Sequence, residues 1–218
     1  RYFLTHWQDH EKWPREVLNF LIALGLQCFY NDYVYFQEPV EKEALSSLST
    51  HLRRRIQTQK SLTENDTKLL ALLSCYQPLY EMDFLTAKPA LPPAIKKSAQ
   101  LWMRVQYLNP LAERALIPTI PSFTKIEDQT SLDVQKMYEQ RPYPRWTSLG
   151  SAKTSQRLRD ISENLDILVA GCGTGQEPCL YANLLPHARI TAIDLSRSSI
   201  AYGMRIHQMK KDRVEYKQ

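Results

Sequence analysis

Three of the six glycines in this 218-residue chain, Gly171, Gly173 and Gly175, fall within five positions. Ahead of them runs Leu165-Asp-Ile-Leu-Val-Ala170, a short apolar stretch that reads as a buried strand; behind them the pattern turns helical to about residue 184. Glycines at such a turn permit backbone angles closed to other residues and let a ligand approach the main chain with no Cβ in the way. Arg189-Ile-Thr-Ala-Ile-Asp194 reads as a second strand, Ser196 starts a helix to about residue 210, and Val214-Glu-Tyr216 begins a third strand. Strand, helix, strand, helix, strand is the opening of a doubly wound parallel α/β sheet, whose ligands bind at the carboxyl ends of the strands.

The first half reads differently. A helix begins at Pro14 and carries Val17, Leu18, Leu21, Ile22, Leu24 and Leu26. A second, over 41–57, has Leu45, Leu48, Leu52 and Ile56 at spacings of three and four. A third starts near Glu64 with Leu69, Leu70, Leu72 and Leu73, and Pro78 stops it. After a proline-rich turn at 89–93 a fourth carries Ile95, Leu101, Trp102, Val105 and Leu108. Strand-like alternation is nearly absent here, and no helical-repeat spacing recurs. Pro110, Pro118 and Pro121 mark an irregular connection, Asp128 to Ser131 supply helix-start chemistry for a short helix over 131–140, and 147–156 is a polar stretch. The expected fold is α + α/β: an all-helical N-terminal module over 1–125, then the first part of a Rossmann-like doubly wound parallel sheet over 126–218.

Composition narrows the function. Hydrophobic residues at 43% and charged residues at 23% exclude a collagenous or disordered chain. The formal charge of +5 is modest, and its densest run, Arg53-Arg54-Arg55 followed by Lys60, reads as a solvated helix face; nucleic-acid binding is unsupported. Cys28, Cys75, Cys172 and Cys179 form no CxxC pair, which fits buried thiols in a reduced, cytoplasmic setting. His6 and His10 stand four apart with no third ligand and no H-E-x-x-H order, so no metal site is expected. The longest uncharged stretch, 17–31, contains Asn19 and Gln27 and falls short of the ~20 apolar residues a membrane span requires; a core helix is expected there and no membrane contact.

Asp194 ends the second strand 19 residues after Gly175 (194 − 175), where a carboxylate accepts hydrogen bonds from both hydroxyls of a ribose. A dinucleotide site places glycine or alanine three residues after the second glycine, whereas here stands Gln176, followed by Glu177. A carboxylate in the first helical turn suits the macrodipole but repels a pyrophosphate. S-adenosyl-L-methionine has no phosphate and carries a positive sulfonium, so the loop favours it over NAD. Cys172 has no base nearby in sequence and reads as loop packing.

Asp166-Ile-Leu-Val-Ala-Gly-Cys-Gly-Thr-Gly-Gln176 with Ile193-Asp194-Leu195-Ser196 resembles the first two motifs of class I S-adenosylmethionine-dependent methyltransferases. Tyr138-Glu-Gln-Arg-Pro-Tyr-Pro-Arg-Trp146 and Gln27-Cys-Phe-Tyr-Asn-Asp-Tyr-Val34 further resemble bacterial methyltransferases with a helical, tetratricopeptide-associated N-terminal extension. The resemblance runs from about Val17 onward. It implies that Gly171, Gly173 and Gly175 line the methionine and ribose portion of the cofactor, with Cys172, Gln176 and Tyr138 also in its binding site, that Asp194 takes the ribose hydroxyls, and that Leu195 packs on the adenine. Tyr138, Tyr143 and Trp146 would form a lid over the cofactor or serve as ordinary interdomain packing; both readings stand.

The resemblance also implies a sheet that continues through several more strands, so the chain is expected to be the N-terminal part of a longer protein. The residues that touch the methyl acceptor would then lie beyond Gln218, and this piece alone would be inactive. The expected function is methyl transfer to an unidentified acceptor, with a possible protein partner for the helical module. The alternatives are a nicotinamide-dependent oxidoreductase, and a non-enzymatic binding protein with a degenerate methyltransferase domain.

Overall fold

The structure, a computed structural model, describes residues 1–59, 61–85, 91–92, 95–122, 124–140, 142–149, 155–208 and 214–218. Lys60, most of the expected turn at 89–93 and the end of the helix expected to reach residue 210 lie outside them. The chain divides into two compact units, Arg1–Leu111 and Ala112–Gln218.

The first unit is helical: α1 (Tyr2–Thr5), a 3₁₀ turn (Trp7–Lys12), α2 (Arg15–Tyr30), α3 (Pro39–Thr58), α4 (Glu64–Leu73), α5 (Lys96–Met103) and a π-helical turn (Arg104–Leu108). α2 follows Pro14, whose fixed φ suits a helix start, and buries Leu18, Leu21, Ile22, Cys28 and Phe29. α3 begins two residues before the expected start, because Pro39 takes the first position and Glu38 with Glu41 forms a reciprocal cap. α4 is capped by Thr63 and Asp66, and its Leu69, Leu70, Leu72 and Leu73 are all in the core. Burying each such leucine contributes about 1.5–3 kcal/mol. The π-helical turn carries the fully buried Gln106, which donates to the carbonyls of Gly25 (2.6 Å) and Ser74 (3.2 Å) and accepts from the Tyr33 hydroxyl (3.2 Å). Every polar atom of that amide therefore has a partner. Two guanidiniums of the basic run face acids of the same unit, Arg53 on Asp83 and Arg55 on Asp66.

The second unit contains the 3₁₀ turn Ile117–Thr119, α7 (Gln129–Gln140), α8 (Gln156–Ser162), β1 (Asp166–Ala170), α9 (Gln176–Leu184), β2 (Arg189–Ile193), α10 (Arg197–Gln208) and β3 (Val214–Lys217). The division from the first unit falls inside α6 (Asn109–Leu116). The strands pair in parallel in the order β1-β2-β3, with Asp166 opposite Arg189, Ala170 opposite Ile193 and Ile190 opposite Val214. Val169, Ile190, Ala192, Ile200, Ala201 and Tyr216 form its core. This unit begins at Ala112, ahead of residue 126. Glu113 pairs with Arg205 at 2.6 Å, Ile120 enters the core, and the Gln218 amide donates to the Pro121 carbonyl at 2.9 Å. α8 follows the polar stretch at 147–156, where no element was expected, and the Ser155 hydroxyl caps it by accepting from the Leu158 amide. The chain is thus mostly helical with a small parallel sheet. Among the described residues no helix is long and apolar enough to cross a membrane.

Candidate functional site

The loop from Gly171 to Gly175 leaves the carboxyl end of β1 and enters α9. All three of its glycines have positive φ, +73°, +50° and +77° in chain order, a region that side chains with a Cβ rarely adopt. Their surroundings differ. A Cβ on Gly175 would fall 2.6 Å from the Tyr216 hydroxyl and 2.9 Å from the Cα of Gly203 in α10, so the loop and that helix touch backbone to backbone. A Cβ on Gly171 or Gly173 would meet nothing within 4 Å.

The loop's amides are already engaged. Those of Gly171 and Cys172 donate to the Ile193 carbonyl (2.9 and 3.0 Å), that of Gly175 to the Cys172 carbonyl (2.9 Å), and that of Gly173 to Asp194 Oδ2 (2.7 Å). Asp194 Oδ1 meanwhile accepts from the Ser196 amide at 2.8 Å. One carboxylate thus fastens the glycine loop and shapes the entry to α10. Each of its oxygens still has a lone pair to offer.

Beside the loop lies a cavity of about 610 Å³. Gly171, Gly173, Asp194, Leu195 and Ser199 line it from the sheet and α10; Ile126, Val134, Tyr138 and Tyr143 line it from the segment ahead of β1. Among its described lining residues Asp194 is the only charged one, so the cavity offers an anionic, otherwise mostly apolar interior. Such a site favours a neutral or cationic ligand, since it supplies neither a cation nor a row of free amides to a phosphate.

Of the residues expected at the site, Gly171, Gly173, Asp194, Leu195 and Tyr138 converge on this cavity, whereas Cys172, Gly175 and Gln176 do not line it. Cys172 turns into the core of the second unit, and burial, with the Asp194 charge adding to it, pushes its thiol up to about 12. It is protonated at neutral pH and a poor nucleophile. Gly175 is taken up by the contact with Gly203, and Gln176 starts α9 exposed to solvent. Glu177 does not line the cavity either, and its carboxylate accepts from the Tyr181 hydroxyl at 2.6 Å. Glu177 therefore does not act on the cavity, and it is the engaged amides that a pyrophosphate would find closed to it.

The aromatic segment over 138–146 divides its duties. Tyr138 and Tyr143 line the cavity, while Trp146 is buried against Cys179 and Tyr202 and donates from Nε1 to the Thr174 carbonyl at 3.0 Å. Thr174 returns a bond from its hydroxyl to the Pro144 carbonyl at 2.8 Å. Trp146 is tied to the glycine loop but does not line the cavity, as a lid residue would.

Sequence reasoning missed three contributors. Gly203 had a signal, because a glycine in mid-helix costs about 1 kcal/mol against alanine and therefore points to close packing. Thr174 was hidden by the glycines around it. Glu139, whose carboxylate binds the first turn of α10, left no local signal, because its partners are 58 and 59 positions away. His6 and His10 bond the carbonyls of Tyr2 and Trp7 through Nδ1, each at 3.0 Å. Among the described residues no group of three His, Cys, Asp or Glu is placed to hold a metal ion. No protein-family model, no curated protein and no solved structure matches the chain.

Proposed function

We propose that the second unit is the cofactor-binding part of a Rossmann-like, class I methyltransferase, and that its cavity takes S-adenosyl-L-methionine. One observation carries the reading: the glycine loop borders a cavity large enough for a nucleoside, yet four of its amides are bonded within the protein and the only charge among the described lining residues is the Asp194 carboxylate. A pyrophosphate would find repulsion there; a cationic nucleoside would not.

When bound, S-adenosyl-L-methionine supplies a methyl group activated on a sulfonium. Asp194 would use the free lone pairs of its two oxygens for ribose hydroxyls, already oriented by its bonds to the Gly173 and Ser196 amides. Leu195, Ile126 and Val134 would give the base an apolar wall, and Gly171 and Gly173 would keep the main chain open to close approach. Tyr138 and Tyr143 would exclude water. Catalysis by such a site comes chiefly from positioning, and the acceptor remains a chemical nucleophile of unassigned class. Four free, buried thiols suit a cytoplasmic setting.

Calorimetric titration of the 218-residue chain tests the reading. S-adenosylhomocysteine and S-adenosylmethionine are expected to bind saturably at one site, and NADH to give no binding heat. Saturable NADH binding, or no response to either sulfur nucleoside at millimolar concentration, would overturn it.

A further inference from the structure

We propose that Glu139 is a positioning residue: by capping α10 from outside that helix, it seats α7 against the cavity and so sets ligand affinity without lining the cavity itself. The starting point is an incomplete cap. α10 opens Ser196-Arg197-Ser198-Ser199, with serine where a reciprocal cap would place Glu or Gln. The Ser196 hydroxyl accepts from the Ser199 amide at 3.1 Å, which leaves the amides of Arg197 and Ser198 to be satisfied from elsewhere.

Glu139 supplies the acceptors. Its Oε1 takes the Arg197 amide at 2.6 Å, and its Oε2 takes the Ser198 amide at 3.1 Å and the Ser198 hydroxyl at 2.6 Å. A carboxylate at that end of a helix also meets the positive end of the macrodipole. Apolar burial does little of this work, for α7 has no buried residue, and Leu132, Val134 and Met137 are all exposed. Three charge-assisted bonds from one side chain are accordingly the strongest described attachment of this helix to α10.

The residue next to Glu139 is Tyr138, and one turn earlier stands Val134; both line the cavity. Releasing Glu139 frees the helix that carries them and leaves two amides unpaired beside Leu195 and Ser199, which line the cavity as well. The effect on affinity rests on the cavity being the ligand site proposed above; the effect on α7 does not.

Hydrogen–deuterium exchange on the ligand-free 218-residue chain decides the attachment. Glu139→Gln, which keeps size but sets an amide group against two N–H donors, is expected to accelerate exchange over 129–140 and in the first turn of α10 by about fivefold or more, with β1 and β2 unchanged. Ser198→Ala, which removes one bond of the three, is expected to act in the same direction and less. Equal exchange over 129–140 in wild type and Glu139→Gln would overturn the proposal. So would acceleration spread evenly through β1 and β2, because Glu139 would then be a general stabiliser. In parallel, S-adenosylhomocysteine is expected to bind Glu139→Gln about fivefold or more weakly than wild type; equal binding by both would overturn the positioning role. Failure of wild type itself to bind would count against the cofactor reading, while the exchange result would still decide the role of Glu139.

Discussion

Two alanine substitutions two positions apart in the same loop, Gly175→Ala and Gly173→Ala, separate fold from site. Both force alanine into a positive φ, which costs about 1–2 kcal/mol, and both recover about 0.4–1 kcal/mol by restricting the unfolded chain. For Gly173 nothing else enters, since its Cβ would project into open space, and the net loss is about 1 kcal/mol. For Gly175 the new methyl meets the Gly203 backbone at 2.9 Å and the Tyr216 hydroxyl at 2.6 Å. Tyr216 is buried, and the same hydroxyl lies 2.6 Å from His207 Nδ1, so neither neighbour yields easily. Overpacking adds about 1–3 kcal/mol, bringing the total to about 2–4 kcal/mol. For a unit of this size each kcal/mol lowers Tm by about 4–8 °C, so Gly175→Ala should melt about 10 °C or more below wild type. Trp146 is the only tryptophan in the second unit, and incorporation of 5-fluorotryptophan lets its resonance follow that unit's melting alone. The ligand response is expected to invert: Gly173→Ala, the milder change for stability, should lose about tenfold or more in S-adenosylhomocysteine affinity because its methyl occupies the cavity. Melting of the two variants within about 3 °C of each other would refute the close-approach argument.

Two further outcomes follow from titrating groups. Burial works to raise the Asp66 pKa, but the Arg55 guanidinium and the bonds from Thr63 outweigh it and hold the carboxyl below its ordinary value. The unfolded chain therefore takes up this proton first. The stabilisation is complete above the ordinary carboxylate range near pH 4 and is lost as pH falls through the lower folded value. Asp66→Asn should lower stability of the first unit by about 2 kcal/mol at pH 7 and flatten its acid limb in urea titrations; an unchanged slope between pH 5 and about 2 would contradict this. Cys172, with its thiol pushed up to about 12, has about a thousandfold less thiolate at pH 8 than an ordinary cysteine, so iodoacetamide should label it in urea and spare it in the native chain. Comparable labelling rates with and without urea, read by peptide mass spectrometry, would show that it is open and ionised.

What was legible in the sequence follows from range. β1 and β2 are short, mostly apolar runs and β3 alternates apolar with charged residues, and their bounds in the structure differ from the expected ones by a residue or so; β1, expected to be buried, buries Val169 but exposes Leu168. Asp194 was legible as a strand-end acid, but not as the acceptor of the Gly173 amide, 21 positions away. α1 and the 3₁₀ turn after it were missed, being too short to show a period. α8 was missed because seven residues, Gln156–Ser162, are mostly polar; its serine cap was the available sign. The π-helical turn Arg104–Leu108 has no sequence signature of its own and extends the helical pattern unchanged. The unit boundary was placed late because the segment from Ala112 to Ser122 has little periodicity and is committed to the second unit by Glu113, Ile120 and Pro121 through distant partners.

The external cap on α10 has a consequence for the order of events at the ribosome. Glu139 lies upstream of the amides it serves, so it has left the exit tunnel well before Arg197 and Ser198 appear. When the first turn of α10 emerges, its acceptor is already in solution and the turn is completed on arrival rather than waiting for later chain. A circular permutant that begins at residue 155 and carries 1–149 after Gln218 through a flexible linker keeps every such bond in the finished fold but reverses the schedule. Its α10 emerges with the Ser196 cap alone, and its slower, more aggregation-prone folding would register as a lower soluble yield at equal final stability.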